Sequence, residues 1–138
     1  MTTEAPAWFP TEVESALDEK LGIEIIDWNP ERLVARMPVA GNTQPYGLLH
    51  GGAVCALVEA VGSYAAALQA GPGARTVGIE LNASYHLPVT SGHVTAVCTP
   101  AGTELPLATY LVEISDDEGR LASSGRLTCF IRPARGDS

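Results

Sequence analysis

From Gly52 to Gln69 the chain is built of Ala, Val and Leu with few interruptions. The segment reads as one helix, preceded by His50-Gly51-Gly52 and stopped by Gly71-Pro72-Gly73. It is apolar nearly all round, so it has to be covered on several sides rather than lie on a surface. Its Gly62, Ser63 and many alanines suit close approach by another backbone. The length would also fit a bilayer, but Glu59 sits near the centre and no basic residues flank the run, which argues against a membrane span.

The rest of the chain supplies the cover. Ile23–Trp28 and Leu33–Val39 read as strands joined by a turn at Asn29-Pro30. Glu12–Leu21, with Val13, Leu17 and Leu21 at four-residue spacing, reads as a short amphipathic helix packing one stripe. Asn42–Leu49 is a loop rich in turn formers. Beyond Gly73 the period changes to two. Val77, Ile79, Leu81, Ala83 and Tyr85 are expected to point one way, as are Val94, Ala96 and Cys98. Leu107–Ser115 and Leu121–Arg132 follow, joined by the acidic turn Asp116-Asp117-Glu118-Gly119. Two strands, one buried helix and four strands in hairpin-like succession give an α+β fold, an antiparallel sheet wrapped around one long helix. The 138 residues suit a single domain, with 1–10 and 133–138 loose.

Composition narrows the function. A net charge of −8 makes a poor nucleic-acid binder. Cys55, Cys98 and Cys129 are odd in number and far apart, the pattern of reduced thiols in a cytoplasmic protein, and no basic leader precedes an apolar stretch. Cys55 lies one turn before Glu59, but apolar neighbours raise a thiol pKa, so it reads as core. Arg120, Arg126, Arg132 and Arg135 are half of the basic residues. They read as a solvated strand face and tail, or as an attractant for an anionic ligand.

Between Arg36 and Arg75 the only formal charge is Glu59. A carboxylate buried without partners costs several kcal/mol, so its place in this run points to chemistry. At Gly51-Gly52 the helix start offers free backbone N–H groups and no Cβ to hold a ligand away, a plausible oxyanion hole. His50 and Gln44 are weak signals by themselves. At ~1.5 Å per residue, Gly51 and Glu59 stand about 12 Å apart along one axis. One chain can hardly bring both to one carbonyl. Two such helices crossing antiparallel about a two-fold axis could, which predicts an isologous dimer with shared sites. Glu59 could act as general base or as nucleophile, and Ser63, at i+4, could orient the carboxylate or a water.

The string Gln44-Pro45-Tyr46-Gly47-Leu48-Leu49-His50-Gly51-Gly52, with Glu59 and Gly62-Ser63 beyond it, resembles the hotdog-fold acyl-CoA thioesterases of the PaaI-like superfamily. The branch is that of the Arthrobacter-type 4-hydroxybenzoyl-CoA thioesterases and the enterobactin- and menaquinone-pathway thioesterases. Val77–His86 and the turn Asp117–Gly119 are similar to the same branch, and the resemblance covers roughly residues 20–132. It implies hydrolysis of an aryl- or medium-size acyl-CoA to free acid and coenzyme A, without metal or organic cofactor. It implies Glu59 as the carboxylate, Gly51 as the N–H that polarises the carbonyl, and Gln44 and His50 beside the thioester. Ser63 falls at a water-positioning hydroxyl, and Tyr46, Gly52, Tyr85 and His86 at substrate contacts. Family members resemble one another in forming homotetramers, as dimers of dimers with sites at the dimer interface.

Two stretches depart from the pattern: Leu87 stands where relatives often carry arginine, and Gly102–Tyr110 lacks the usual basic or polar residues. The phosphates of coenzyme A then need other partners, for example Arg75 or the C-terminal arginines. Rival readings are a hotdog hydratase or dehydratase, a non-catalytic acyl-CoA-binding module, and a structural domain in which Glu59 pairs with a buried hydroxyl.

Overall fold

The computed structural model describes residues 3–10 and 15–135. The elements are α1 (Ala16–Leu21), β1 (Glu24–Asp27), β2 (Leu33–Pro38), α2 (Gly51–Ala70), β3 (Arg75–Tyr85), β4 (His93–Glu104), β5 (Leu107–Ser115) and β6 (Leu121–Arg132). The strands form one six-stranded antiparallel sheet in the order β1-β2-β4-β5-β6-β3. This is the expected α+β architecture, and α2 lies within the curve of the sheet.

The sheet covers α2 because α2 is the most apolar element in the chain. Val54, Leu57, Val58, Val61 and Ala65 on the helix meet Leu33, Ala35, Ala96, Cys98, Tyr110, Val112 and Leu127 from the strands in one core. By length and composition α2 could cross a membrane, yet much of its apolar surface is spent on this core. Gly62 and Gly125 let helix and sheet close up, since a Cβ at Gly125 would stand 2.7 Å from Val58. The helix stops at Gly71, and the chain turns back into β3.

Three expectations change. The strands after the helix do not form four successive hairpins: β4, β5 and β6 make the meander, whereas β3 crosses over to pair with β6 and becomes an edge. Val77, Ile79, Leu81, Ala83 and Tyr85 do not share one face either. A bulge between Gly78 and Glu80 shifts the register, so Val77 and Ile79 are exposed while Leu81 and Ala83 are half-buried. Finally, the first helix spans only Ala16–Leu21, and Leu17 is 57% exposed. Val13 lies outside the described residues.

Candidate active site

Two clefts open on opposite stretches of α2, and each holds part of the expected constellation.

The first surrounds the helix start. Its position is set by buried Asn42, whose Nδ2 donates to Leu21 O at 2.7 Å and Pro38 O at 2.8 Å. Asn42 O in turn accepts from His50 N at 2.9 Å. His50 is the N-cap of α2, and its Nδ1 accepts from Gly52 N at 2.8 Å. That bond fixes the neutral imidazole with its proton on Nε2. It also takes up the Gly52 N–H, so the expected glycine pair does not offer two free donors. The Gly51 N–H, one residue earlier, has no acceptor among the described residues. It faces a cleft of about 340 Å³ lined also by Gln44, Val54, Tyr85, His86 and Ser123.

Gln44 is oriented by its own loop. Its Oε1 accepts from Tyr46 N and from Leu48 N at 3.3 Å, which leaves the amide NH2 as the free end. A carbonyl oxygen in this cleft would meet two neutral donors, the Gly51 N–H and the Gln44 amide. Tyr85 borders them: its hydroxyl donates to Gly51 O at 3.1 Å and lies 3.4 Å from Cys55 Sγ. The bond to Cys55 and partial burial hold the phenol above its ordinary pKa, so it stays a neutral donor. His86 Nε2 stands 2.8 Å from Ser124 Oγ. Tyr46, by contrast, is 87% exposed on the loop and lines neither cleft.

The second cleft, about 410 Å³, lies half-way along the helix and contains Glu59 and Ser63. Here the expectation of a buried carboxylate is corrected, because Glu59 is exposed in the single chain. Residue 59 falls on the face of α2 that the sheet leaves open, so burial would have to come from outside this chain. No basic side chain pairs with it among the described residues, where the ion pairs are those of Arg120 with Asp116 and Glu118. Shape places it instead. The carboxylate rests on Gly78, where a Cβ would stand 2.5 Å from Oε1 and 2.7 Å from Oε2. Gly78 is also where β3 bulges. Beneath lies Cys129, whose thiol is pushed up to about 11 by burial first and by the Glu59 charge second, against an opposing hydrogen bond from Ser63. It therefore stays a neutral thiol at physiological pH.

The wall of this cleft is aromatic. Phe9 comes from a stretch expected to be loose, yet its ring lies 5.2 Å from Trp28 and 5.9 Å from Tyr64. Tyr64 OH donates to Asp18 Oδ2 at 3.3 Å, and burial, with Asp18 beside it, raises the phenol pKa. Phe9, Trp28, Gly78 and Asn42 have no part in the sequence reading of the site. The hints are one aromatic, Phe9, outside any periodic segment, another, Trp28, at the end of a strand pattern, and a glycine inside a strand pattern, which marks a bulge or close approach. Gly52 faces a third cleft, with Leu17, Asn42, His50 and Ala56. No group of three or more His, Cys, Asp or Glu is arranged to hold a metal among the described residues.

The thioesterase superfamily model matches residues 46–123, which include the helix start, Glu59 and Gly78. The chain is 42% identical over 116 residues to the proofreading thioesterase EntH of Cronobacter turicensis, covering 83% of this chain and 85% of that one. The structure of a thioesterase from Haemophilus influenzae superposes with a TM-score of 0.82 at 36% identity, covering 87% of this chain and 85% of that one. A mutant thioesterase from Pseudomonas aeruginosa superposes with a TM-score of 0.78 at 33% identity, with 85% and 86% covered. With the sheet-wrapped helix and two complementary clefts already in view, these likenesses establish that the chain belongs to the hotdog-fold thioesterase superfamily and is a thioester hydrolase.

Proposed function

We propose that the protein hydrolyses an aryl- or medium-size acyl-CoA in sites shared between two copies of the chain, in the cytoplasm, without metal or organic cofactor. The observation that carries this is the separation of the two clefts. Gly51 and Gln44 supply donors for a carbonyl oxygen, Glu59 supplies a base or nucleophile, and the two groups line different clefts of the same helix. Along the helix they are about 12 Å apart. A two-fold axis that runs the helices antiparallel brings each Glu59 to the neighbour's Gly51.

Two further features support such a pairing. β3 is an edge strand of 11 residues with exposed Val77 and Ile79, an open ladder beside the Glu59 cleft. The open face of α2 around Glu59 carries Ala56, Ala60, Ser63 and Ala67, small enough for a second helix to approach closely. Pairing there would also bury Glu59. Two such dimers would make the tetramer that the family resemblance implies.

In this reading the thioester carbonyl lies on the Gly51 N–H and the Gln44 amide of one subunit. The acyl group enters the aromatic-walled cleft of the other. Glu59 then either takes a proton from water as it attacks the carbonyl carbon, or attacks that carbon itself to give an anhydride that water cleaves. Either way the C–S bond breaks and coenzyme A leaves as the thiol. His50 and His86 border the leaving sulfur's approach, Ser63 steadies the water, and Tyr85 holds the first turn of the helix. Tyr46 and Gly52, which line neither of these clefts in one chain, take part only if the partner closes over them.

Release of free thiol from benzoyl-, phenylacetyl- and straight-chain acyl-CoA tests the reading. The aryl and medium-length thioesters are expected to lead, and Glu59→Ala is expected to lower kcat by at least about a hundredfold with the oligomer intact. Wild-type turnover in Glu59→Ala would overturn it. A single turnover in oxygen-18 water separates the two routes, since label in the Glu59 carboxylate marks the anhydride.

A further inference from the structure

One wall of the Glu59 cleft comes from the N-terminal segment, outside every helix and strand. Trp28 N donates to Thr3 O at 2.8 Å and Thr3 N donates to Asp27 Oδ1 at 2.9 Å, which ties residue 3 to the end of β1. A turn closed by Phe9 N donating to Pro6 O at 2.9 Å then leaves Trp8 exposed and Phe9 half-buried. β1 is the sheet edge opposite β3, so two chains paired along β3 leave this anchorage intact.

Three rings meet where the segment ends. Phe9 lies 5.2 Å from Trp28 and 5.9 Å from Tyr64, and Trp28 meets Tyr64 edge-on at 5.6 Å and 80°. Phe9 and Tyr64 line the cleft, whereas Trp28 is not among its lining residues. The hydroxyl of Tyr64 is tied to Asp18 Oδ2 at 3.3 Å, which holds that ring in place. Because Trp28 and Tyr64 support each other without Phe9, truncating Phe9 would lengthen the cleft onto Trp28 rather than collapse it. Tyr64 is five residues past Glu59 on α2, about 7.5 Å along the axis. That interval suits a phenylacetyl group or a short chain, and a dodecanoyl chain outruns it. Ala60 and Ser63, which line the cleft between them, are too small to stop a chain.

We propose that Phe9 is a specificity-determining residue: its ring ends the acyl cleft, so the N-terminal segment sets the longest acyl group accepted. The inference rests on the acyl-CoA reading above and adds a length limit to it.

Phe9→Ala and Phe9→Leu are made in the full chain carrying Trp8→Phe, which leaves Trp28 as the one tryptophan. The kcat/KM values for butanoyl-, phenylacetyl- and dodecanoyl-CoA are compared with those of the Trp8→Phe parent. The dodecanoyl-to-butanoyl ratio is expected to rise at least about tenfold in Phe9→Ala and by a smaller factor in Phe9→Leu. The leucine variant keeps most of the packing and carries the test if the alanine variant does not fold. A ratio that stays at the parent's value, with or without an equal loss on all three thioesters, would overturn the stop. Binding of free dodecanoate, followed by Trp28 fluorescence, separates this claim from the acyl-CoA reading. If the parent hydrolyses none of the thioesters, that reading fails. The stop still stands if either variant binds dodecanoate at least about tenfold more tightly than the parent, with a change in Trp28 emission, and it falls if parent and variants bind the acid alike.

Discussion

The two clefts of α2 are made in different ways. The cleft at the helix start is held by hydrogen bonds: Asn42 fixes His50, His50 takes the Gly52 N–H, and Gln44 is pinned by its own loop. Among the described residues a backbone N–H and a side-chain amide are left without acceptors there, both neutral donors. The cleft at mid-helix is held by shape. Glu59 rests against a glycine, and its walls are rings from the N-terminal segment and from α2 itself. The first offers donors suited to negative charge on oxygen but has no carboxylate among its lining residues. The second has a carboxylate but offers a carbonyl no donor from α2's first turn. The contrast teaches that the single chain holds two unlike clefts, one ordered by direction and one by shape, as the proposed division into two half-sites would require. Donors need direction, which hydrogen bonds give. A carboxylate that must stay reactive is better left without a strong partner, which would lower its basicity.

The largest effect that bears on this comparison should come from removing one donor. Gly51 is the first residue of α2, where proline is tolerated, and His50 before it is already extended, with φ −68° and ψ 132°. Gly51→Pro therefore deletes the N–H with little cost to the helix. Because any Cβ at this position stands 2.8 Å from the Tyr85 ring and hydroxyl, Gly51→Ala is the control for crowding alone. The proline variant is expected to lose about a hundredfold or more in kcat relative to the alanine variant. Equal rates would mean that the N–H contributes nothing.

Next in size is the shape-held half. Gly78→Ala places a methyl in the space of the Glu59 carboxylate and should displace it by an ångström or so. We expect kcat to fall about ten- to a hundredfold while the thermal midpoint moves little. A variant that is as active as the wild type would show that Glu59 is not positioned by this contact.

The smallest effect should be on the capping histidine. His50→Ala removes the acceptor for Gly52 N and should cost about 1 kcal/mol in urea unfolding. It also frees the Gly52 N–H, so any change in kcat distinguishes a structural cap from a group that acts on the thioester. An unfolding midpoint that does not move would contradict the capping role.

Much of this was legible in the chain. The apolar run fixed a buried helix, its glycine stop fixed the end, and the lone charge singled out Glu59. Turns bounded four of the strands, and period-two alternation marked β3 and β4. It failed on the facing of β3 because a bulge at Gly78 inverts the facing of everything before it, and a bulge leaves no mark on hydropathy beyond a glycine. It also could not say that β3 pairs with β6, since strand order depends on which edges the helix leaves open rather than on local pattern. The exposure of Glu59 was misread for a related reason. An apolar helix is expected to be covered on several sides, but the pattern does not say which side its own sheet covers, and the sheet leaves an alanine face open. Phe9 and Trp28 were missed because tertiary packing, and no periodicity, brings them to Tyr64.

The central claim is that a working site takes its donors from one subunit and its carboxylate from another, and subunit mixing tests it most directly. Glu59→Ala and Gly51→Pro chains, each nearly inactive alone, are unfolded together and refolded in equal amounts. Random assortment makes half the dimers mixed, each with one intact site of two, so the mixture should recover about a quarter of the wild-type rate. A mixture no more active than the sum of its two parents would contradict the shared site.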